Sequence, residues 1–206
     1  MSAVSETIVR EYFELHEFLV RQNRKYIRQA RGQEDDDIDF FVLNPHPQVL
    51  DGVLPFVLES KDLAFIERAI VVVKGWFTET FSTARLERKS TIFRFVEPKI
   101  FQQAARAFGK DGTPLKILIV PALPQAAEGR LESLALLRSK GIDAVIPFHT
   151  MLADLVKETE VNRNYQKSDL LQIIRILKNY DFFKEPQLEL FKAKRQRQPK
   201  VNPKSE

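Results

Sequence analysis

Three short apolar runs place the strongest constraint on the fold of this chain. They are AIVVV at residues 69–73, ILIVP at 117–121 and AVIPF at 144–148. Each has the length of a strand, and apolar residues without alternation are typical of strands that are covered on both faces. A helix is predicted between the last two runs, over 126–140, and Gly141 would end it. A strand, a helix and a second strand in this order predict a parallel crossover.

The remaining chain supplies further predicted helices and strands around these runs. We expect an α/β protein with a central mixed β-sheet flanked by helices, forming one domain over 1–191 with a C-terminal helical extension at about 149–183. Ser168 is the expected N-cap of the last helix. The other predicted elements are helices at 5–16, 98 to about 108, 149 to about 157 and 169–180, strands from about Phe18 and over 38–43, and a loop at 75–93.

The net charge of +4 is concentrated at the C-terminus. Residues 192–206 contain six Lys/Arg and one Glu, a net charge of +5, so the other residues carry 26 basic and 27 acidic side chains, a net charge of −1. With almost no apolar residues to bury, this tail is predicted to be basic and disordered. It would add nonspecific affinity for phosphate.

Several functional classes are disfavoured by what the sequence lacks. There is no cysteine for disulfides or thiolate metal sites, and no apolar run approaches the roughly 20 residues of a membrane span. The phosphate-binding patterns G-x-x-x-x-G-K-[ST] and G-x-G-x-x-G are absent, as is the G-x-S-x-G hydrolase pattern. His16, His46 and His149 lack the spacing of metal ligands. A cytoplasmic protein without membrane attachment is the default expectation.

Three charged residues stand beside predicted core elements. Glu6 is in the first helix, Asp39 opens the strand 38–43, and Lys74 ends the strand that begins at Ala69. A lysine at the end of a buried strand needs a reason, since an ammonium away from water is costly unless it is paired. Carboxylates bind Mg²⁺, which polarises a phosphate and activates a bound water, and a neighbouring lysine can orient that water. Such parts suit phosphodiester hydrolysis.

Structural roles are the alternative for the same three residues. A carboxylate such as Glu6 is stabilised in the first turn of a helix by the helix dipole. Asp39 has an acidic turn before it and can simply begin a strand. Lys74 can extend its ammonium to water from a strand end or form a structural ion pair with Asp39.

The motifs ETIVREYFELHEFLVRQ, DIDFFVLN and VVVKGW resemble those of the PD-(D/E)xK, or restriction-endonuclease-like, nuclease superfamily. The resemblance is to the branch of Holliday-junction resolvases, Mrr-type enzymes and RecB-type nuclease domains. It implies catalytic roles for Glu6, Asp39 and Lys74, with Asp39 binding Mg²⁺ or Mn²⁺. It spans roughly residues 5–150, including the downstream helix–strand–helix–strand, and places Glu17 where that branch has a glycine.

One position departs from the family pattern. The acid two residues before the lysine is replaced by Val72, which cannot bind a metal. Three alternatives follow. The acid has moved to a later helix, with Glu87 as the first candidate for a metal ligand and Glu79 as the second; Asp39 and Glu6 alone hold one weakly bound metal; or the site is inactive and the fold binds without cutting.

A run of basic residues completes the functional hypothesis. It is predicted to bind nucleic acid, although a solvated face is the alternative, and consists of Arg21, Arg24, Lys25, Arg28 and Arg31. We therefore expect a nuclease-fold protein acting on DNA, with Mg²⁺-dependent phosphodiester hydrolysis if the site is active. The alternative is an inactive nuclease-like module that binds DNA or scaffolds a complex. DNA is the expected partner; a homodimer, a larger complex, and the role of the insertion at 45–68 stay open.

Overall fold

The centre of the protein is a five-stranded mixed sheet. The computed structural model describes residues 3–23, 38–74, 79–109 and 112–183. Strand order is β1-β2-β3-β4-β5; the β1–β2 and β2–β3 pairs are antiparallel, and the β3–β4 and β4–β5 pairs are parallel. The α/β class, the mixed sheet and the predicted parallel crossover are confirmed. The strands are Leu19–Gln22 (β1), Phe40–Leu43 (β2), Arg68–Val73 (β3), Leu115–Val120 (β4) and Ala144–Pro147 (β5).

Helices cover both faces of this sheet. Helices α1, α5 and α6 bury their apolar side chains on one face, and α2, α3 and α4 bury theirs on the other. No helix in the described part of the chain is long and apolar enough to cross a membrane. Among the described residues, the α-helices are Ala3–Leu15 (α1), Thr83–Arg88 (α2), Pro98–Ala105 (α3), Ala127–Ser139 (α4), Phe148–Glu158 (α5) and Asp169–Asn179 (α6), and short 3₁₀ helices span Ser60–Phe65, Ser90–Val96 and Arg106–Phe108.

Strand β3 shows why the sheet needs a layer of helices on each face. Side chains alternate along a strand, so Val71 and Val73 point into the layer of α1 while Ile70 and Val72 point into the opposite layer. All four are buried. A strand that is apolar on both faces is stable only between two layers, and this requirement gives the protein its helix–sheet–helix arrangement.

The ends of two predicted helices carry the expected signals. Gly109, after the helix that begins at Pro98, has a φ of 81°, in the left-handed region that favours glycine. The hydroxyl of Ser168 accepts a hydrogen bond from the backbone N–H of Leu171 at 3.2 Å and so caps α6 as predicted.

The prediction of a loop over 75–93 is wrong for the part of this range that the structure describes. Residues 79–93 include α2 and the beginning of the 3₁₀ helix Ser90–Val96. Phe81, Leu86 and Phe93 are buried against the sheet face opposite α1. These apolar positions are separated by polar residues without a sustained helical period, so burial in the tertiary structure, rather than local pattern, orders the segment.

The insertion between β2 and β3 belongs to the core. It leaves β2 at Leu43, which is paired with Arg68 at the amino end of β3. Its residues Phe56–Leu58 then run beside β5: Val145 donates its N–H to the carbonyl of Phe56 at 2.7 Å, and Leu58 donates to the carbonyl of Val145 at 2.9 Å. The insertion therefore extends the sheet beyond β5. The predicted tail, 192–206, lies outside the described residues.

We predict that the insertion contributes strongly to stability. Leu63, in its 3₁₀ helix, is 1% exposed in the α1-side core, whereas Val53 in the same insertion is 95% exposed. Leu63→Ala should lower the free energy of unfolding by about 2–5 kcal/mol. Val53→Ala, the matched control, should change it by about 0.5 kcal/mol or less. Urea denaturation measures both values, and equal midpoints would show that the insertion is not packed as described.

Candidate functional site

A cleft lies where β1 and β3 end and β2 begins, beside the first turns of α1. Its volume is about 700 Å³. Glu6, Asp39 and Lys74, the three residues predicted to act together, all line it. The cleft lies at the carboxyl end of β3, the strand that pairs antiparallel with β2 and parallel with β4. The remaining lining residues are Ala3, Thr7, Arg10, Gln22, Asn23, Ile38 and Val73.

Asp39 is fixed by the backbone of β3. One carboxylate oxygen, Oδ2, accepts a hydrogen bond from the N–H of Val73 at 2.8 Å. The N–H of Asp39 donates to the carbonyl of Val71 at 3.2 Å, and its carbonyl accepts from the N–H of Asn23 at 2.8 Å. The aspartate thus ties the start of β2 to the ends of β1 and β3. A carboxylate offers about four acceptor positions, of which the bond from Val73 takes one.

Glu6 is oriented by a residue of the first strand. The side-chain amide of Gln22 donates a hydrogen bond to Glu6 Oε2 at 2.5 Å, joining α1 to the end of β1. Arg10 lies four residues after Glu6, on the same side of α1, and lines the same cleft. The four-residue spacing on a predicted helix could have indicated Arg10 as a neighbour of Glu6, but the family motifs assign it no role. Gln22 carried no comparable signal, because its role depends on where β1 ends.

Lys74 leaves the sheet directly after β3. Its N–H donates to the carbonyl of Ile119 in β4 at 3.5 Å, which holds the backbone at the cleft. The side chain is half-buried. The cleft combines the carboxylates of Glu6 and Asp39 with Lys74 and with Arg10, whose guanidinium also pairs with acidic residues of α1. Such a mixture can bind a phosphate group directly or through a metal ion.

The structure does not bring the two candidate substitute acids to this cleft. Glu87 is exposed on α2, whose Leu86 packs on the sheet face opposite α1. The carboxylate of Glu79 makes ion pairs with Arg85 and Lys89. Neither acid lines the cleft. Val72, at the family's acidic position, is fully buried among apolar side chains and does not line it either.

Most of the predicted basic run cannot be placed. Arg21 is exposed on β1, and its guanidinium lies 5.7 Å from the ring centre of Phe41. The described structure breaks off after Asn23 and resumes at Ile38, and both of these residues line the cleft. Arg24, Lys25, Arg28 and Arg31 themselves lie outside the described residues.

The donor atoms of the cleft suit a hard cation such as Mg²⁺. Mg²⁺ prefers oxygen ligands, keeps several waters, and is often held by one or two carboxylates together with substrate phosphates. Asp39 and Glu6 supply carboxylate oxygens. No group of three or more His, Cys, Asp or Glu residues suited to a metal ion occurs within 3–23, 38–74, 79–109 and 112–183. A metal held by these two residues would therefore complete its coordination with water and phosphate oxygens.

A second cleft, of about 380 Å³, lies near the end of α1 and the insertion. Its charges are largely paired: His16 Nε2 lies 2.6 Å from Asp154 Oδ2, and Lys157 pairs with Glu158 at 2.8 Å. The hydrogen bond from Lys157, together with its positive charge, holds the pKa of the Glu158 carboxyl below its usual value. The His16–Asp154 contact joins the end of α1 to α5. This cleft contains none of the three residues that the motifs selected, so the cleft at Lys74 is the candidate site.

Comparison with protein-family models, curated proteins and solved structures found no match for this chain. The residues of the cleft and their geometry are therefore the observations from which a function can be inferred.

We predict that restoring the family's acid at position 72 does not rebuild a metal site. Val72→Glu places a carboxylate in an apolar cluster, which should cost roughly 3–5 kcal/mol of stability. Val49→Glu, at a position 91% exposed, is the control and should change stability by about 0.5 kcal/mol or less. Denaturation in urea measures both variants. Wild-type stability combined with a gain of Mg²⁺-dependent cleavage in Val72→Glu would contradict the prediction.

Proposed function

We propose that this protein is nuclease-like and acts on DNA, with the cleft of Glu6, Asp39 and Lys74 receiving the phosphate backbone. One observation carries the proposal: three residues far apart in the sequence line a single cleft, and they are the three that the motifs selected. Packing a sheet does not require two carboxylates and a lysine at one cleft. Hydrolysis of a phosphodiester can use the carboxylates to bind a metal ion and the lysine to stabilise negative charge.

The order of the elements supports the restriction-endonuclease-like part of the proposal. The resemblance implies an opening helix and strand, an aspartate strand, a lysine strand, and then helix–strand–helix–strand. The chain has α1 and β1, then β2 after Asp39 and β3 before Lys74, followed by α3, β4, α4 and β5. The additional α2 and the insertion before β3 lie outside this common order.

The backbone at Glu17 is a second, independent support. The resemblance places a glycine at this position, and Glu17 has a φ of 64°, in the left-handed region that favours glycine. The N–H of Phe18 donates to the carbonyl of Phe13, and that of Glu17 to Glu14, both at 3.0 Å. These bonds form a Schellman motif that ends α1 and starts β1. Glu17 therefore adopts a backbone conformation that favours glycine, at the position where the resembling family has a glycine.

Hydrolysis would use the cleft residues in distinct roles. Mg²⁺, when bound, would polarise the phosphate and lower the pKa of a water. Asp39 would bind the metal, and Glu6 would bind the metal or the water. Lys74 would orient the attacking water and offset the charge that grows on the phosphate oxygens. This is the alternative in which Asp39 and Glu6 hold one metal without a further protein acid.

Binding without cleavage is the second candidate, and a specific observation favours it. Neither Val72 nor Glu87 supplies a further carboxylate to the cleft. Lys74 and Arg10 would then contact the DNA backbone as cations, and Asp39 would serve the fold through its bond to Val73. This candidate implies binding that persists in EDTA and weakens as salt is raised, because cations that neutralise phosphates release counterions.

Cleavage of plasmid and branched DNA in Mg²⁺ or Mn²⁺ tests the proposal. We expect Lys74→Ala and Asp39→Asn to lower the wild-type cleavage rate by at least about 100-fold. Asp39→Asn keeps an oxygen that can accept from Val73, so the fold should persist. Lys61→Ala removes the same charge at an exposed position in the insertion, outside the cleft, and should cleave like the wild type.

The outcomes separate the two candidates. Equal cleavage by the wild type, Lys74→Ala and Asp39→Asn would contradict the assignment of the site. Binding in EDTA without cleavage by the wild type would establish the binding candidate. An absence of both cleavage and binding at low salt would contradict a function on DNA.

A further inference from the structure

A smaller cavity adjoins the main cleft and carries a different chemistry. It has a volume of about 180 Å³ and lies between the β1–β2 pair and α3. Asn23 and Ile38 line both cavities, so the two are neighbours that share a wall. We call it the side cavity. A group extending from a phosphate in the main cleft would meet the side cavity next.

One wall of the side cavity is an aromatic and guanidinium surface. Arg21 and Phe41 are directly opposite each other on β1 and β2, which places their side chains on the same face of the sheet. The Arg21 guanidinium carbon is 5.7 Å from the Phe41 ring centre, and the edge of Phe108 packs against that ring at a centroid distance of 5.8 Å. Aromatic rings and planar guanidinium groups are the surfaces on which unpaired bases stack.

The opposite wall is open and supplies a polar group. Ala104 and Ala107 are three residues apart and small, which leaves room between α3 and the sheet. Gln103 lies beside them and is exposed. An amide in this position can donate to and accept from the edge of a base. Together, the two walls offer stacking, hydrogen bonding and positive charge.

We propose that the side cavity holds one unpaired base of a DNA strand whose phosphate occupies the main cleft. The inference rests on the proposed function and narrows its substrate class to DNA with an unpaired nucleotide, as in a single strand or at a branch. The side cavity has about a quarter of the volume of the main cleft, and suits one ring system rather than a base pair. A base stacked within a duplex could enter only after leaving the stack.

The test compares oligonucleotides that differ only in their bases. A fluorescein-labelled thymidine 20-mer and a 20-mer of the same charge with abasic sites in place of its bases are titrated with protein in EDTA at low salt. We expect the abasic strand to bind about 5- to 100-fold more weakly, since base stacking contributes on this scale. A fully paired duplex should also bind more weakly than the thymidine strand.

Variants locate the base in the side cavity. Ala107→Trp fills the cavity from an exposed position and should reduce binding of the thymidine strand to the abasic level, while binding of the abasic strand stays unchanged. Gln102→Trp adds the same bulk at an exposed neighbour on α3 that does not line the cavity, and should bind like the wild type. Gln103→Ala should weaken binding of the thymidine strand without affecting the abasic strand.

The possible failures can be told apart. Equal binding of the thymidine and abasic strands overturns the inference but leaves DNA binding intact. A preference for the thymidine strand that survives in Ala107→Trp places the base elsewhere and also overturns it. If thymidine monophosphate competes as strongly as the 20-mer, the cavity belongs to a free nucleotide rather than to a strand. If neither strand binds, the proposed function itself fails.

Discussion

Strand β3 must bury two apolar faces at once, and the arrangement of the protein follows from this requirement. Its central residues are inaccessible to water, and its backbone is hydrogen-bonded to antiparallel β2 on one side and parallel β4 on the other. Helices are therefore needed on both faces of the sheet. The chain reaches water again only after Val73. The first charged residue beyond the strand, Lys74, is consequently held at the rim of the core by the same packing.

The rim at this end of β3 is also where the first three strands are joined. Asp39 bonds to the backbone of β3 and to Asn23 just after β1, while Gln22 of β1 bonds to Glu6 of α1. Two carboxylates are thus positioned by backbone and side-chain bonds from rigid elements. Such a site can be ordered before a ligand arrives, which lowers the cost of binding it. The insertion, by contrast, leaves from the other end of β3 and completes the sheet beyond β5.

Local sequence pattern was sufficient for the main elements but not for the segments that tertiary packing orders. The runs around Val71, Leu118 and Val145 were recognisable as strands because they are short, continuous and rich in β-branched residues. The helix α2 was not, because its single buried residue, Leu86, gives no repeating apolar period. Its burial becomes evident only when the opposite sheet face is known.

The same distinction applies to the site. The family resemblance selected Glu6, Asp39 and Lys74 as residues of one site, and the structure places all three on one cleft. The location of Glu87 could not be predicted from its distance along the chain, because that depends on the face to which α2 folds. Gln22 and Gln103 could not be predicted as site residues either. Gln22 contacts Glu6, and Gln103 lines the side cavity, only because of where the fold places them.

The central claim is that DNA backbone occupies the cleft at Lys74, and the absence of cysteine from the chain allows a direct measurement. Thr7→Cys places a single thiol in this cleft, and Ser139→Cys places one at an exposed site on α4 outside it. Each variant is mixed with DNA carrying a disulfide-activated thiol tethered to one phosphate. The account predicts cross-linking at Thr7→Cys that unmodified DNA suppresses, and little at Ser139→Cys. Equal cross-linking of the two variants, or none at Thr7→Cys when DNA is bound, would contradict it.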